Sequence, residues 1–467
     1  MALLPTSGGF VPGSLADWLD SQDVDRQNRY RTFLDFYEGL QWDRRPRPGE
    51  TRLTANYARA LVRKVGSYVF AEPVIQQVPD DAGGSPQQRR RAADWLDRIA
   101  SEQDLHTLDF QTLLDAAVLG DGCFKVTWDA DRARPVVSPV DPSGLWAWSQ
   151  PGNVRQLRRI VQRYSLQPAE AEELFDLTLA GEGRVRVVED WTVDRLAIEL
   201  NGQTISDEPN PYGQIPYVLF PNLGKPHELW GESDLVDLMD VCREINRRMT
   251  VISRILQVSG NPIVVLENVT GSDGIRADEG AIWELPEDSR AYLLDMLQGG
   301  GVQVHLDYVQ LLFRTLFDLS ETPRTSFGDS GRALSGTALE VEIQPLVQKV
   351  QRKRRIWDSV YRRRNALVLD QLERFGGEDL GGVRRTEPVW GPILPRDREA
   401  QVRAETTLVS HGVRSRRSAM TTLGTDDPEQ EWAKVLEEAG ADPGHDQCVS
   451  DPPAALETDG GHDGDTD

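Results

Sequence analysis

Apolar residues recur at steps of three and four along most of the chain, and elsewhere they alternate. Between 23 and 70, Tyr30, Phe33, Leu34, Tyr37 and Leu40, then Leu53, Tyr57, Ala60, Leu61, Val65 and Tyr68, predict two helices parted by Pro46 and Pro48. After Pro73 a short strand is expected, then Gly83-Gly84-Ser85-Pro86 and a helix over 87–102. A second helix over 105–119 stops at Gly120. From Cys123 the period falls to two. Phe124, Val126 and Trp128 alternate, as do runs near Val136 and over 160–164, 185–191, 196–200 and 217–220, with turn residues at 141–144, 150–153 and 210–213 between them. This predicts a mixed sheet over helices.

A longer pattern starts at Gly231, where Ser233 or Asp234 can cap a helix. Leu235, Leu238, Cys242, Ile245, Met249, Ile252 and Leu256 step alternately by three and four, a sustained heptad seam. Val241, Val251, Ile255 and Val258 lie off that stripe, so the helix is expected to pack on more than one neighbour. Beyond Gly260-Asn261-Pro262 the pattern predicts a strand over 263–266, a polar turn over 268–278, a second strand over 281–285, Gly299-Gly300-Gly301 and a helix over 304–319. A Pro, Gly and Ser-rich stretch, 322–336, precedes the longest helical pattern, 337–375. Pro345 lies inside it and is expected to kink rather than end it. Helical segments over 396–411, 415–423 and 428–439 follow. Beyond Pro443 the chain is rich in Pro, Gly, Thr and Asp, with almost no apolar content, and reads as a disordered acidic tail. No repeat of fixed period is visible.

Composition narrows the class. With 467 residues there is room for two or three compact units, and 39% hydrophobic against 27% charged residues reads as soluble and globular, α+β and predominantly helical. No apolar run nears the roughly 20 residues of a membrane span, and Met1-Ala2-Leu3-Leu4-Pro5 lacks a basic n-region, so no export signal is expected. Cys123, Cys242 and Cys448 lie far apart, which excludes a disulfide framework or a Cys-x-x-Cys knuckle and fits a reducing compartment. The net charge of −23 argues against coating nucleic acid, because counterion displacement needs bases, so any DNA contact would be local. One basic cluster stands out on the long helix: Lys349, Arg352, Lys353, Arg354, Arg355, Arg362, Arg363 and Arg364. It encircles the helix, and ion pairing to acidic neighbours explains it better than DNA.

Catalytic motifs fail on inspection. Gly331 to Thr337 has phosphate-loop glycine spacing but no lysine before Thr337. Gly328-Asp329-Ser330-Gly331 copies a serine-protease tetrad ahead of a long helix rather than inside a β-barrel. His227-Glu228 begins a zincin motif whose second histidine position holds Gly231. The six histidines, His106, His227, His305, His411, His445 and His462, never share a ligand face, and the tail acids over 459–467 lack the alternating-ligand loop of a calcium site. No catalytic residue, metal or cofactor is expected.

The order of parts resembles one family, the portal proteins of tailed bacteriophages. The resemblance covers most of the chain. It rests on Tyr30 with Tyr37-Glu38-Gly39; Asn56-Tyr57-Ala58-Arg59; Val65-Gly66-Ser67-Tyr68-Val69-Phe70-Ala71-Glu72-Pro73; and the passage from Ala116 through Gly120-Asp121-Gly122 to Val126. Tyr212-Gly213-Gln214-Ile215-Pro216-Tyr217-Val218, followed by Gly231-Glu232-Ser233-Asp234-Leu235 and Asn246, is the most specific string. Ser335-Gly336-Thr337-Ala338-Leu339 is similar to the family's junction between tunnel loop and kinked helix.

The resemblance implies a portal-like wing, stem, clip and crown arrangement with long stem helices and a kinked long helix. The parts would be a wing over 1–230 of helices plus mixed β-sheet, a first stem helix over 231–258, a clip over 259–302 and a second stem helix over 303–320. A tunnel loop over 321–336, a long kinked wing helix and return over 337–390, a helical crown region over 391–442 and the disordered tail over 443–467 would complete it. It implies a virion protein, assembled in the host cytoplasm, whose homo-oligomeric ring of twelve occupies one capsid vertex and passes double-stranded DNA during packaging and ejection. Partners would be the terminase large subunit, a head-completion or adaptor protein, and the major capsid and scaffolding proteins, with no membrane. Candidate positions are Arg324, Thr325, Ser326 and Arg332 for the DNA channel, and Leu235, Leu238, Ile245, Met249 and Ile252 for stem packing between copies. Two other classes stay open on the residues alone: a DNA- or polysaccharide-acting enzyme using acids such as Glu172 and Glu173, or a helical adaptor or scaffold without a channel.

Overall fold

Caps and breakers set the helices where the hydrophobic period places them. The computed structural model describes residues 15–48, 50–178, 183–259, 263–268, 288–294, 301–328, 336–394, 398–425 and 428–441, and the chain divides into two units, 1–393 and 394–467. The first unit opens with α1 (Leu15–Asp20), α2 (Val24–Tyr37) and α3 (Tyr57–Val69). The Asn56 side chain accepts the Arg59 amide at the start of α3. After β1 (Ile75–Gln77), α4 (Pro86–Glu102) starts with a capping box between Ser85 and Gln88, and α5 (Leu105–Leu119) stops at Gly120, whose φ of 107° suits glycine alone.

Two sheets follow. β2 (Asp121–Asp129) is central between β3 (Arg134–Pro139) and β9 (Tyr217–Pro221), and the strands β4 (Leu145–Gln150), β5 (Asn153–Leu166), β6 (Val185–Thr192), β7 (Arg195–Leu200) and β8 (Gln203–Pro209) form a five-stranded meander in that order. A short α6 (Pro168–Phe175) interrupts the meander between β5 and β6. Every pairing among the described residues is antiparallel, which corrects the expectation of a mixed sheet. The reason is connection length: two-residue links such as Val193-Asp194 and Asn201-Gly202 can only reverse a strand, whereas parallel neighbours need a crossover. Cys123, Leu145, Ile160, Trp191, Tyr217 and Leu219 pack where the two sheets meet, and the short α1 buries Leu19 against Trp146, Val161 and Val188.

The rest of the unit is dominated by three long helices: α7 (Met239–Ser259), α8 (Gly301–Ser320) and α9 (Gly336–Arg374). Between α7 and α8, β10 (Ile263–Glu267) pairs antiparallel with β11 (Arg290–Leu294), so the second strand lies at 290–294; the span 281–285 falls outside the described residues. A 3-10 turn, Arg324–Phe327, leads toward α9, which stays helical through Pro345. β12 (Glu387–Val389) then pairs with β1. The second unit holds α10 (Arg398–Ser410), α11 (Arg416–Thr422) and α12 (Pro428–Ala441), with Arg416 over the Trp432 ring. The tail over 443–467 lies outside the described residues.

Candidate functional site: a helical hairpin and its root

The hairpin of α7 and α8 is rooted in the helices of the first unit. Leu235, Leu238, Cys242 and Ile245 on one arm and Leu316 on the other share a core cluster with Tyr30, Phe33 and Phe36 of α2, Ala58, Leu61 and Val62 of α3, and Ala117, Val118 and Leu119 of α5. Asn246 is buried and ties together the two ends of the loop between α2 and α3, accepting the Ala55 amide at 2.9 Å and donating to Gln41 at 2.7 Å. Helix starts only at Met239. The residues before it are committed elsewhere: the Ser233 hydroxyl donates to the carbonyl of Val118 and accepts the Leu235 amide, and the Asp234 amide donates to Ala117 at 2.9 Å. Ser233 therefore anchors a turn rather than capping the long helix.

Backbones meet at this root. A Cβ on Gly231 would fall 2.4 Å from the Gly120 carbonyl oxygen and 2.7 Å from Pro221, and the Gly231 amide donates to the buried carboxylate of Asp121 at 2.8 Å. The other Asp121 oxygen accepts the Tyr30 hydroxyl. Burial pushes the Asp121 carboxyl up to about 6, partly countered by those two hydrogen bonds.

One turn of α9 ties both arms together. The buried Lys353 ammonium lies 2.8 Å from the Asp234 carboxylate, just ahead of α7, and donates to Asn222 at 2.5 Å. Four residues earlier, Lys349 donates to the carbonyl of Ser320 at 3.0 Å, at the end of α8, where the helix dipole favours a cation. Arg352 adds a 2.6 Å pair with Glu321. Burial alone would raise the Asp234 carboxyl, but the Lys353 and Lys349 ammoniums reverse that and hold it at about 2.

Further along α9, Arg354 donates to the carbonyls of Val69, Tyr68 and Gly391; Arg363 donates to Leu219; and Arg364 pairs with the buried Asp109, which also accepts the Tyr361 hydroxyl at 2.8 Å. Six of the eight bases that encircle this helix are thus used inside the chain; Arg355 and Arg362 are exposed.

Away from its root the hairpin is apolar on a second face. On α8, Val304, Tyr308, Leu311 and Leu319 recur at helical spacing and are 69, 38, 56 and 47% exposed, while Leu316 points into the core at 0%. On α7, Val251 and Leu256 are also exposed. Between α3, α8 and the 3-10 turn a cavity of about 290 Å³ is lined by Tyr57, Ala60, Phe313, Phe317, Arg324 and Phe327.

The sequence profile of the family described as Phage portal protein, SPP1 Gp6-like, matches residues 17–444. The chain belongs to this family of phage portal proteins. Its members are structural proteins of the virion. No curated protein matches the chain.

The portal resemblance placed nine residues at sites, and the structure separates them. Leu235, Leu238 and Ile245, at 0, 2 and 0% exposure, belong to the subunit's own core, whereas Met249 and Ile252 are half-buried. The heptad seam is satisfied at its start by α2, α3 and α5, helices distant in sequence. In the candidate channel segment Arg324 is exposed, Thr325 is half-buried, and Ser326 is buried with its hydroxyl donating to the Pro323 carbonyl at 2.6 Å, so Ser326 holds the turn closed. Arg332 lies outside the described residues. Glu172 and Glu173 sit on the short α6. The outer stripe of α8 escaped the sequence reading, although the spacing of Val304, Tyr308, Leu311 and Leu319 carries it. No helix among the described residues is long and apolar enough to cross a membrane.

Proposed function

We propose that the chain is the subunit of a closed portal ring at one capsid vertex, and that this ring is the channel for double-stranded DNA in packaging and ejection. The observation that carries the ring is the outer stripe of α8. Among the described residues four large apolar side chains there are left 38 to 69% exposed, on a helix whose opposite face is already in the core. A head-to-tail interface buries such a stripe against a different face of the next copy and closes by rotation.

The α7–α8 hairpin is the stem in this reading, with α7 following the turn at 231–238, and the β10–β11 pair with its intervening residues is the clip that meets the terminase large subunit and later the head-completion or adaptor protein. The segment over 321–336 is the tunnel loop, α9 the long wing helix, residues before Trp230 the wing, and 391–442 the crown region. Twelve copies make the ring, which contacts the major capsid and scaffolding proteins around its rim. Arg324 is the channel position retained. A lumen through which DNA slides needs few fixed cations, because each phosphate neutralised adds affinity and drag, and a net charge of −23 supports that. The energy for packaging comes from the docked motor.

Negative-stain imaging of the purified protein tests the reading. Rings with a central hole are expected, and a monomer or small oligomer without a lumen would overturn it.

A further inference from the structure

Most bases on α9 are consumed internally, whereas a second set lies open on the loop between α2 and α3. Arg44, Arg45 and Arg47 are exposed and none lies in a close ion pair among the described residues, although the Glu50 carboxylate acts on Arg44 at longer range. The loop that presents them is braced. The Arg52 guanidinium, its side chain only 7% exposed, donates to the carbonyls of Arg44 at 2.5 Å and Arg45 at 3.2 Å, chelates Glu50 at 3.0 Å through two nitrogens, and lies 4.9 Å over the Trp42 ring. Glu50 in turn accepts the Arg47 amide at 2.9 Å, and the Trp42 indole donates to Thr54 at 2.8 Å. Pro46 and Pro48 restrict Arg45 and Arg47 to extended backbone, about 6 Å apart at a polyproline rise.

The loop lies along one face of α7. Leu53 donates to Thr250 at 3.0 Å, Ala55 donates to Asn246 at 2.9 Å, and Asp43 pairs with Arg247 at 2.5 Å and with Arg243 at 3.6 Å. Arg247 and Arg254, two turns apart on that face and both exposed, prolong the basic ridge. Asp43, Asp240 and Glu244 offset it only in part.

We infer that this ridge, Arg44, Arg45, Arg47, Arg247 and Arg254, is a binding site for the phosphate backbone of DNA. Guanidiniums held on a stiff, low-entropy loop suit phosphate oxygens, and contacts of that kind need bases alone. An acidic protein partner fits less well, since the exposed stretch over 43–48 carries no apolar anchor beyond two prolines and the exposed Leu40 and Leu53 lie apart from the arginines, toward the two ends of the loop. The site belongs to one subunit and stands apart from the ring reading.

Equilibrium binding of a fluorescent DNA duplex to the full-length protein, across a salt series, tests it. The triple variant R44A/R45A/R47A is expected to bind at least tenfold more weakly at low salt, with a log–log salt slope shallower by about 2 to 3, at about 0.9 per lost phosphate contact. The control R355A/R362A, exposed on α9, is expected to match wild type. Equal affinity and slope for the triple variant would overturn the inference. So would loss of binding to a polyglutamate probe with duplex binding intact, which would assign the ridge to an acidic protein. Imaging of rings in the same preparations keeps a failure here separate from a failure of the ring itself.

Discussion

Lys353 keeps its ammonium out of solvent against Asp234, and burial lowers its proton affinity, an effect the carboxylate offsets only in part. A buried pair of this kind does little for stability against a well-packed apolar pair, but removing one partner strands the other charge. Lys353→Met is therefore expected to cost about 3–5 kcal/mol in urea unfolding, with much of that recovered in the double variant Lys353→Met/Asp234→Leu. The pH dependence follows from the carboxyl. Its folded value of about 2 lies below its ordinary 3.8, so the contribution is complete above the higher value and is lost as pH falls through the lower. Acid titration of stability should show this loss in the wild type and a flatter profile in the double variant. Gly231 makes a steric counterpart: Gly231→Ala places a methyl against the Gly120 carbonyl and Pro221, and an increase in unfolding rate with a cost of about 1–3 kcal/mol is expected.

At the scale of elements, the two faces of the hairpin give opposite outcomes for the same chemistry. Ile245→Asp buries a charge in the subunit core and should unfold the protein, seen as lost helical circular dichroism. Leu311→Asp lies on the exposed stripe, so the subunit should melt as wild type while light scattering reports loss of the large oligomer. This contrast could not be read from the heptad seam, because the same spacing serves packing within a chain and between chains. Helices were the most legible parts: α5 spans the expected 105–119, and α8 and α9 fall within three residues of their expected bounds, since long amphipathic repeats and flanking glycines fix them. Strands carried by tertiary context were hidden. β8, Gln203–Pro209, is a polar edge strand with no alternation, and β12 is three residues, formed only because it meets β1, the short strand expected after Pro73. The loop over 44–52 was marked only by its prolines, because the brace is made by Arg52 reaching back across the turn.

For the whole molecule, the family was legible because short strings that look unrelated in sequence converge in space. Gly120-Asp121 and Gly231 through Asp234, quoted as separate signatures, meet at one root through the Gly231–Asp121 hydrogen bond, where Asn222 adds a bond to Asp234. The long basic helix was read correctly as paired, since its bases face acids and carbonyls across the fold. Composition argues one further outcome at this scale: deleting 459–467, which holds almost no apolar residue, should leave the oligomer's mass by light scattering unchanged.

Lys349 and Lys353 stand one turn apart on α9 and grip opposite legs of the hairpin. A load applied at the far end of the α7–α8 pair would reach the long helix through both legs together, so neither leg can slip past the other without breaking a contact sealed from water. The junction behaves as a rivet rather than a hinge, and compliance in the assembled machine is expected in the segments beyond it.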